Sequence, residues 1–279
     1  MAQEKQSFFT TPDGINLFLQ EWTTEKPAKA VMLYIHGLGS HGGRLDHWAN
    51  RFTEKQVAFV AYDQRGHGRT DGKRGAIRHI RRLTGDVATM VEHVRTKFPG
   101  IPMILYGHSL GGLIALSHAL ETNAAVDGLV TTSPWLRLVH PPSKALVSVA
   151  SQLRKIAPGL TLSNGLDADD ISSDKAEADK YRDDPLVHDR ISLGLFFSVF
   201  EAGNDVMNHA QEIKCPFLIM HGTGDRITSH EASSEFAANS GNTTTLKLWE
   251  GSRHELHHEP NREEVFDYVV QWMKRQKLL

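Results

Sequence analysis

Cysteine is nearly absent: Cys215 is the single one in 279 residues. No internal disulfide can form, so a disulfide-stapled fold is excluded and a hydrophobic core must hold the chain. Cys215 precedes Pro216 and an apolar run, which predicts a buried packing residue rather than a reactive thiol. A dominant charge of one sign is also missing. The 31 Lys and Arg stand against 33 Asp and Glu, a net charge of -2, so no nucleic-acid partner is expected. The one basic run, Lys73-Arg74 and on to Arg81-Arg82, reads as a solvated loop and helix start. No apolar run approaches the roughly 20 residues of a membrane span. The stretch Met1-Ala2-Gln3-Glu4-Lys5-Gln6 lacks the apolar core of a secretory signal. A cytoplasmic, reducing location is therefore expected. Repeats, low-complexity tracts and linkers are absent too, and 279 residues suit one large domain, or one domain with an insertion. Nothing in the sequence indicates an oligomeric state.

What is present is alternation. Residues 7–10 and 15–22 flank the turn Thr11-Pro12-Asp13-Gly14, which predicts a hairpin. Apolar runs of strand length follow at 30–35, 57–62, 102–106, 126–132 and 216–221, and 243–249 alternates. Helices are predicted over 45–55, 83–97, 112–120, 231–238 and 263–277. Strands separated by helices predict an α/β fold, a mostly parallel sheet covered on both faces. Between 136 and 208 the alternation stops. Helical stretches there are broken by Pro141-Pro142 and Pro158-Gly159, 167–184 is acidic, and 191–202 is a phenylalanine-rich helix without a convincing buried strand beside it. This segment is expected to be an insertion, with 1–135 and 209–279 forming the main domain.

Gly107-His108-Ser109-Leu110-Gly111 reads G-x-S-x-G and lies between a predicted strand and a predicted helix. A sharp strand-to-helix turn there would expose the Ser109 hydroxyl at a helix N-terminus, where free N–H groups favour developing negative charge. The competing reading is that Ser109 caps the helix. A nucleophilic serine needs a base, and the base needs an orienting acid. In sheets of this kind ligands bind beyond the carboxyl ends of the strands. His36, Asp63, Ser109, Ser133, Asp225 and His254 all follow predicted strand ends. Asp225 and His254 come in the order Ser, Asp, His that this elbow requires. Asp225 would hold the Nδ1–H of His254, and His254 would take the Ser109 proton. Asp205 and Glu201 are rival acids beside the insertion. His257 and His258 are rival bases, expected to be exposed or to support the site.

His254-Glu255-Leu256-His257-His258 literally matches H-E-x-x-H, but Gly251 before it and Pro260 after it leave no room for the long helix a zinc protease needs. No metal and no cofactor are expected. The oxyanion hole would come from the N–H of Leu110 and that of Leu38, in the glycine-flanked loop His36-Gly37-Leu38-Gly39. His36 is expected to anchor that loop.

These motifs together resemble the monoacylglycerol lipase and lysophospholipase branch of the α/β-hydrolase fold, the serine aminopeptidase-like hydrolases. The resemblance runs over nearly the whole chain. It covers His36-Gly37-Leu38-Gly39-Ser40-His41-Gly42-Gly43-Arg44, Asp63-Gln64-Arg65-Gly66-His67-Gly68, Asp184-Pro185-Leu186-Val187, His221-Gly222-Thr223-Gly224-Asp225-Arg226 and Glu250-Gly251-Ser252-Arg253-His254-Glu255-Leu256. It implies a serine hydrolase of lipid-type esters (monoacylglycerol, lysophospholipid or similar) working through an acyl-enzyme on Ser109. It also implies that 136–208 is a helical lid whose apolar residues form an acyl tunnel. Leu136, Leu138, Leu153, Ile156, Phe196, Phe197 and Phe200 are candidates, with Ile227 lining the pocket beside the acid. Transient contact of this cap with a membrane surface is compatible with its apolar helices. Ser40 stands where mammalian relatives carry an acid, and Trp135 and Arg137 crowd the cap entrance, so smaller esters and lysophospholipids stay open as substrates. An amidase or aminopeptidase of the same fold, and a non-catalytic receptor that keeps the fold, are the alternatives.

Overall fold

A computed structural model describes residues 3–122 and 126–279. Met1 and Ala2, which begin the stretch expected to lack a signal core, lie outside the described residues. Ten strands are β1 (Gln3–Thr10), β2 (Asn16–Thr23), β3 (Ala30–Ile35), β4 (Val57–Tyr62), β5 (Met103–His108), β6 (Gly128–Thr132), β7 (Thr161–Ser163), β8 (Arg190–Ser192), β9 (Phe217–Gly222) and β10 (Thr244–Trp249). The helices are α1 (Asp46–Glu54), α2 (Arg81–Lys97), α3 (Leu110–Glu121), α4 (Lys144–Ile156), α5 (Lys175–Asp183), α6 (Leu193–Asn208), α7 (His230–Asn239) and α8 (Arg262–Arg275).

Eight strands form one sheet in the order β1-β2-β4-β3-β5-β6-β9-β10. The β1–β2 hairpin is antiparallel and meets β4 antiparallel; from β4 to β10 all neighbours are parallel. The continuous apolar run of β3 has a simple cause. Successive side chains of a strand point to opposite faces, and here both faces are covered. Val31, Leu33 and Ile35 enter one core with α2 and α3, while Met32 and Tyr34 enter a second core with Trp48 of α1 and Phe266 and Trp272 of α8.

The segment between β6 and β9 carries α4, α5 and α6. Leu195, Val199 and Val206 of α6 join the same core as α3. The segment also holds a two-stranded antiparallel sheet of β7 and β8, in which Ile191 and Ser192 are buried. Three-residue strands are too short to leave a periodic signal, and this pair was not expected. Among the described residues, no helix is long and apolar enough to cross a membrane.

Candidate active site

β5 ends at His108 and α3 starts at Leu110, so Ser109 alone makes the turn. Its φ of 54° and ψ of -118° put a non-glycine residue in a sparsely populated, strained region. Close approach of strand and helix enforces this. A Cβ on Gly107 would strike the Gly111 carbonyl, and one on Gly111 would strike the Ile35 carbonyl. The turn is pinned by Ser109 N–H donating to Thr132 O at 3.0 Å and by Trp135 N–H donating to Ser109 O at 3.0 Å. The capping alternative fails, because the Ser109 side chain accepts no helix N–H. Its side chain instead lines a cavity of about 140 Å³.

Asp225 follows β9 and His254 follows β10, and their side chains meet. His254 Nδ1 donates to Asp225 Oδ2 at 2.7 Å, with both side chains buried. Asp225 is held from every side. Oδ1 accepts from the N–H groups of Ile227 and Thr228, and Oδ2 also from His221 Nε2 at 3.0 Å and Thr228 Oγ1 at 3.0 Å. Burial pushes the carboxyl up, but His254, His221 and these donors outweigh it and keep Asp225 well below the usual carboxylate range. Burial likewise opposes a charge on His254, yet the Asp225 carboxylate wins and raises its pKa. Ser133, at the end of β6, donates from Oγ to His254 O at 2.7 Å and fixes the backbone of the base. Ser133, Thr228 and His221 were not singled out as supports of the acid and base. Their partners are chosen by loop geometry, which leaves no spacing rule in the sequence. No hydrogen bond joins Ser109 Oγ to His254 among the described residues; such links commonly tighten only with substrate bound. His254 packs edge-on against His108, the residue before Ser109, with ring centroids 4.8 Å apart.

The rival acids lie elsewhere: Asp205 is exposed beside His209, and Glu201 pairs with Arg154. The rival bases are corrected in one respect. His257 and His258 are buried, not exposed. His258 sits between Glu255, at 2.6 Å, and the Arg44 carbonyl, at 3.0 Å.

The loop after β3 runs beside the elbow, where a Cβ on Gly37 would sit 3.2 Å from Ser109 Cβ. Leu38 lines the Ser109 cavity, and Leu110 is buried at the first turn of α3, where backbone N–H groups have no intrahelical acceptor. His36 is fully buried; its Nε2 accepts the Gln64 N–H at 2.9 Å, and burial drives its pKa down to about 3, consistent with a neutral anchor.

A family model described as serine aminopeptidase, S33 (Hydrolase_4) matches residues 26–261. The chain belongs to this family of α/β-hydrolases. A monoacylglycerol lipase of Mycolicibacterium smegmatis is 31% identical over 267 residues, 95% of each chain. An uncharacterized abhydrolase domain-containing protein of Dictyostelium discoideum is 34% identical over 95% of this chain, which spans 28% of that protein. The crystal structure of a monoacylglycerol lipase of Paleococcus ferrophilus superposes with a TM-score of 0.86 at 32% identity, covering 93% of this chain and 99% of that one.

In this α/β-hydrolase two apolar cavities meet above Ser109. The smaller is walled by Leu38, Leu138, Ile191, Phe196 and Ile227, among others. It shares Trp135, Leu138, Pro142 and Phe196 with a groove of about 670 Å³ between α4 and α6, where Leu136, Phe197 and Phe200 also lie. Leu153 and Ile156, expected in the tunnel, are instead 40% and 87% exposed on the outer side of α4 and line neither cavity. Trp135 is a lining residue of both cavities rather than only an obstruction at the entrance. Asn164 and Leu166 were missed, since they come from the irregular chain after β7.

Proposed function

We propose that this lipid-ester hydrolase works through Ser109 as nucleophile, His254 as general base and acid, and Asp225 as the group that orients His254. Ser109 Oγ attacks the ester carbonyl while His254 Nε2 takes its proton. The tetrahedral oxyanion is held by the N–H groups of Leu38 and Leu110, each worth about 2.7–4 kcal/mol by analogy with other oxyanion donors. His254 protonates the leaving alcohol, and an acyl-enzyme remains. Water, deprotonated by His254, then releases the fatty acid and restores Ser109. The observation that carries this reading is the strained Ser109 turn opening into a cavity, beside a buried Asp225–His254 pair whose His254 ring packs on His108, the residue before Ser109.

The substrate is read as a monoacyl ester with a long apolar acyl chain, monoacylglycerol in first place. Supporting this is the apolar groove that continues from the Ser109 cavity past Phe196. The segment 136–208 serves as the lid over it. No Asp or Glu lines either cavity, which disfavours an aminopeptidase needing a carboxylate for a substrate amine. Leu146, Val149, Leu153 and Ile156 share one face of α4 at helical spacing and are all exposed, between 40% and 87%. This stripe supports transient contact of the lid with a lipid surface. The test is a hydrolysis profile across monoacylglycerols, lysophospholipids and aminoacyl amides. Monoacylglycerols are expected to turn over fastest; faster cleavage of the amides would overturn the reading.

A further inference from the structure

His254-Glu255-Leu256-His257-His258 cannot form the long helix of a zinc protease, and the fold puts it to another arrangement. Beyond His254 the chain makes one 3-10 turn, Leu256–His258. This turn brings Glu255 and His257 to the back of the elbow, where they meet His108. One ligand-capable atom from each of His108, Glu255 and His257 lies within 4.8 Å of the other two, and all three residues are buried. Among the described residues no other group of three offers this. His257 is 1% exposed, and its Nδ1 is buried with no hydrogen-bond partner. Buried polar atoms are seldom left unbonded, and this orphaned nitrogen belongs to a member of the cluster. The other two members are already oriented from outside the cluster. His108 Nδ1 bonds Thr132 Oγ1 at 3.1 Å, and Glu255 Oε2 is held by Arg44 Nη2 and His258 Nδ1, both at 2.6 Å. Outer hydrogen bonds of this kind fix metal ligands in place.

We propose that His108, Glu255 and His257 form a binding site for a divalent transition-metal ion, Zn²⁺ in first place, and that filling it inhibits the hydrolase. Two imidazoles and a carboxylate are a zinc donor set, with bonds of about 2.0–2.2 Å. Atoms up to 4.8 Å apart must draw in by about an ångström, a side-chain adjustment. The Arg44 charge on Glu255 weakens the site and suits it to reversible occupancy rather than a permanent structural ion. A route in exists. The rings of His257 and His258 lie 4.6 Å apart, those of His258 and His47 5.1 Å apart, and His47 and His258 line an open cleft of about 510 Å³. Inhibition follows from position. His108 packs against His254 on one side and His257 on the other, each at 4.8 Å between ring centroids. A dication one ring away from His254 opposes the imidazolium that forms as Ser109 attacks. It therefore lowers kcat more than it raises KM.

The inhibitory half rests on the proposed role of His254; the binding half does not. Calorimetric titration of the chelator-stripped chain with ZnCl₂ is expected to give one site per chain, and monoacylglycerol turnover is expected to fall about tenfold at saturation and return with EDTA. His257→Gln should keep metal-free turnover and weaken zinc binding at least about tenfold. His257→Phe fills the same space if Gln is not tolerated, and zinc K-edge absorption on the loaded unmutated chain reads the ligands without any variant. Ser109→Ala should bind zinc as the parent does, which separates this site from the fate of the catalytic reading. Absence of a one-site titration, equal zinc affinity in the His257 variants, or sulfur ligation from Cys215 would overturn the site. Binding without loss of turnover would overturn the inhibition.

Discussion

At the scale of single residues, the chemistry proposed for Ser109 depends on charge placed two residues away from it in the proposed relay. Asp225 accepts hydrogen bonds on both oxygens and stays ionised, so His254 is held with its Nδ1 proton toward the acid and its Nε2 free to receive another. Replacing Asp225 by Asn keeps the shape but favours the wrong tautomer. We predict a loss of about 10⁴-fold in kcat for Asp225→Asn, with the chain still folded by circular dichroism. A loss below about tenfold would move the orienting role to another residue. The placement of Ser109, Asp225 and His254 past strand ends was legible in the sequence because each follows a separately predicted strand. Thr228, His221 and Ser133 were not, since a Thr three residues past an Asp is ordinary turn chemistry until the loop is folded. The burial of His257 and His258 was also hidden. Four polar residues after Gly251 look like a surface loop, and the Arg44 countercharge that meets Glu255 comes from a distant part of the chain.

Among the elements, the buried parallel strands were the easiest to foresee. Runs such as β3 and β4 are apolar at every position because both faces are covered, and their bounds match the expected ones. The segment between β6 and β9 was opaque for the opposite reason. Its helices divide their apolar residues between a core, a cavity and open solvent, and periodicity alone cannot tell these destinations apart. α6 buries Leu195 and Val199, lines the groove with Phe196 and Phe197, and exposes Phe200. α4 has no buried residue at all. If its outer stripe meets lipid, Val149→Asp with Ile156→Asp should lower binding to phosphatidylcholine vesicles by about tenfold or more, since each buried apolar side chain there is worth about 1.5–3 kcal/mol. Hydrolysis of a short water-soluble ester should be unchanged, because neither residue lines a cavity. A loss of short-ester hydrolysis as large as the loss of vesicle binding would assign the stripe to packing instead.

For the whole molecule, the number of enclosed imidazoles sets how stability responds to acid. Burial holds His36 down to about 3 and His188 to about 4, and it lowers His67 and His118 as well. Both ring nitrogens of His118 lie buried in α3 without partners. In the unfolded chain each imidazole takes a proton near pH 6.5. The unfolded state therefore binds more protons below that pH, and folding stability falls as pH drops from 6.5 toward the depressed folded values. The urea midpoint is expected to be clearly lower at pH 5 than at pH 7.5, and His118→Leu should flatten part of that slope. An unchanged or higher midpoint at pH 5 would contradict the neutral, buried state of these rings.

The same whole-molecule frame, a parallel sheet that delivers Ser109, Asp225 and His254 to one edge, stands or falls on Ser109. The most direct test is to treat the chain with a fluorophosphonate probe, locate the adduct by peptide mass mapping, and assay monoacylglycerol hydrolysis on the same sample. One adduct per chain is expected, on Ser109, with turnover lost in proportion to labelling and Ser109→Ala neither labelled nor active above about one-thousandth of the parent rate. Hydrolysis that persists in the fully labelled chain, or an adduct on any other residue that abolishes it, would contradict the account.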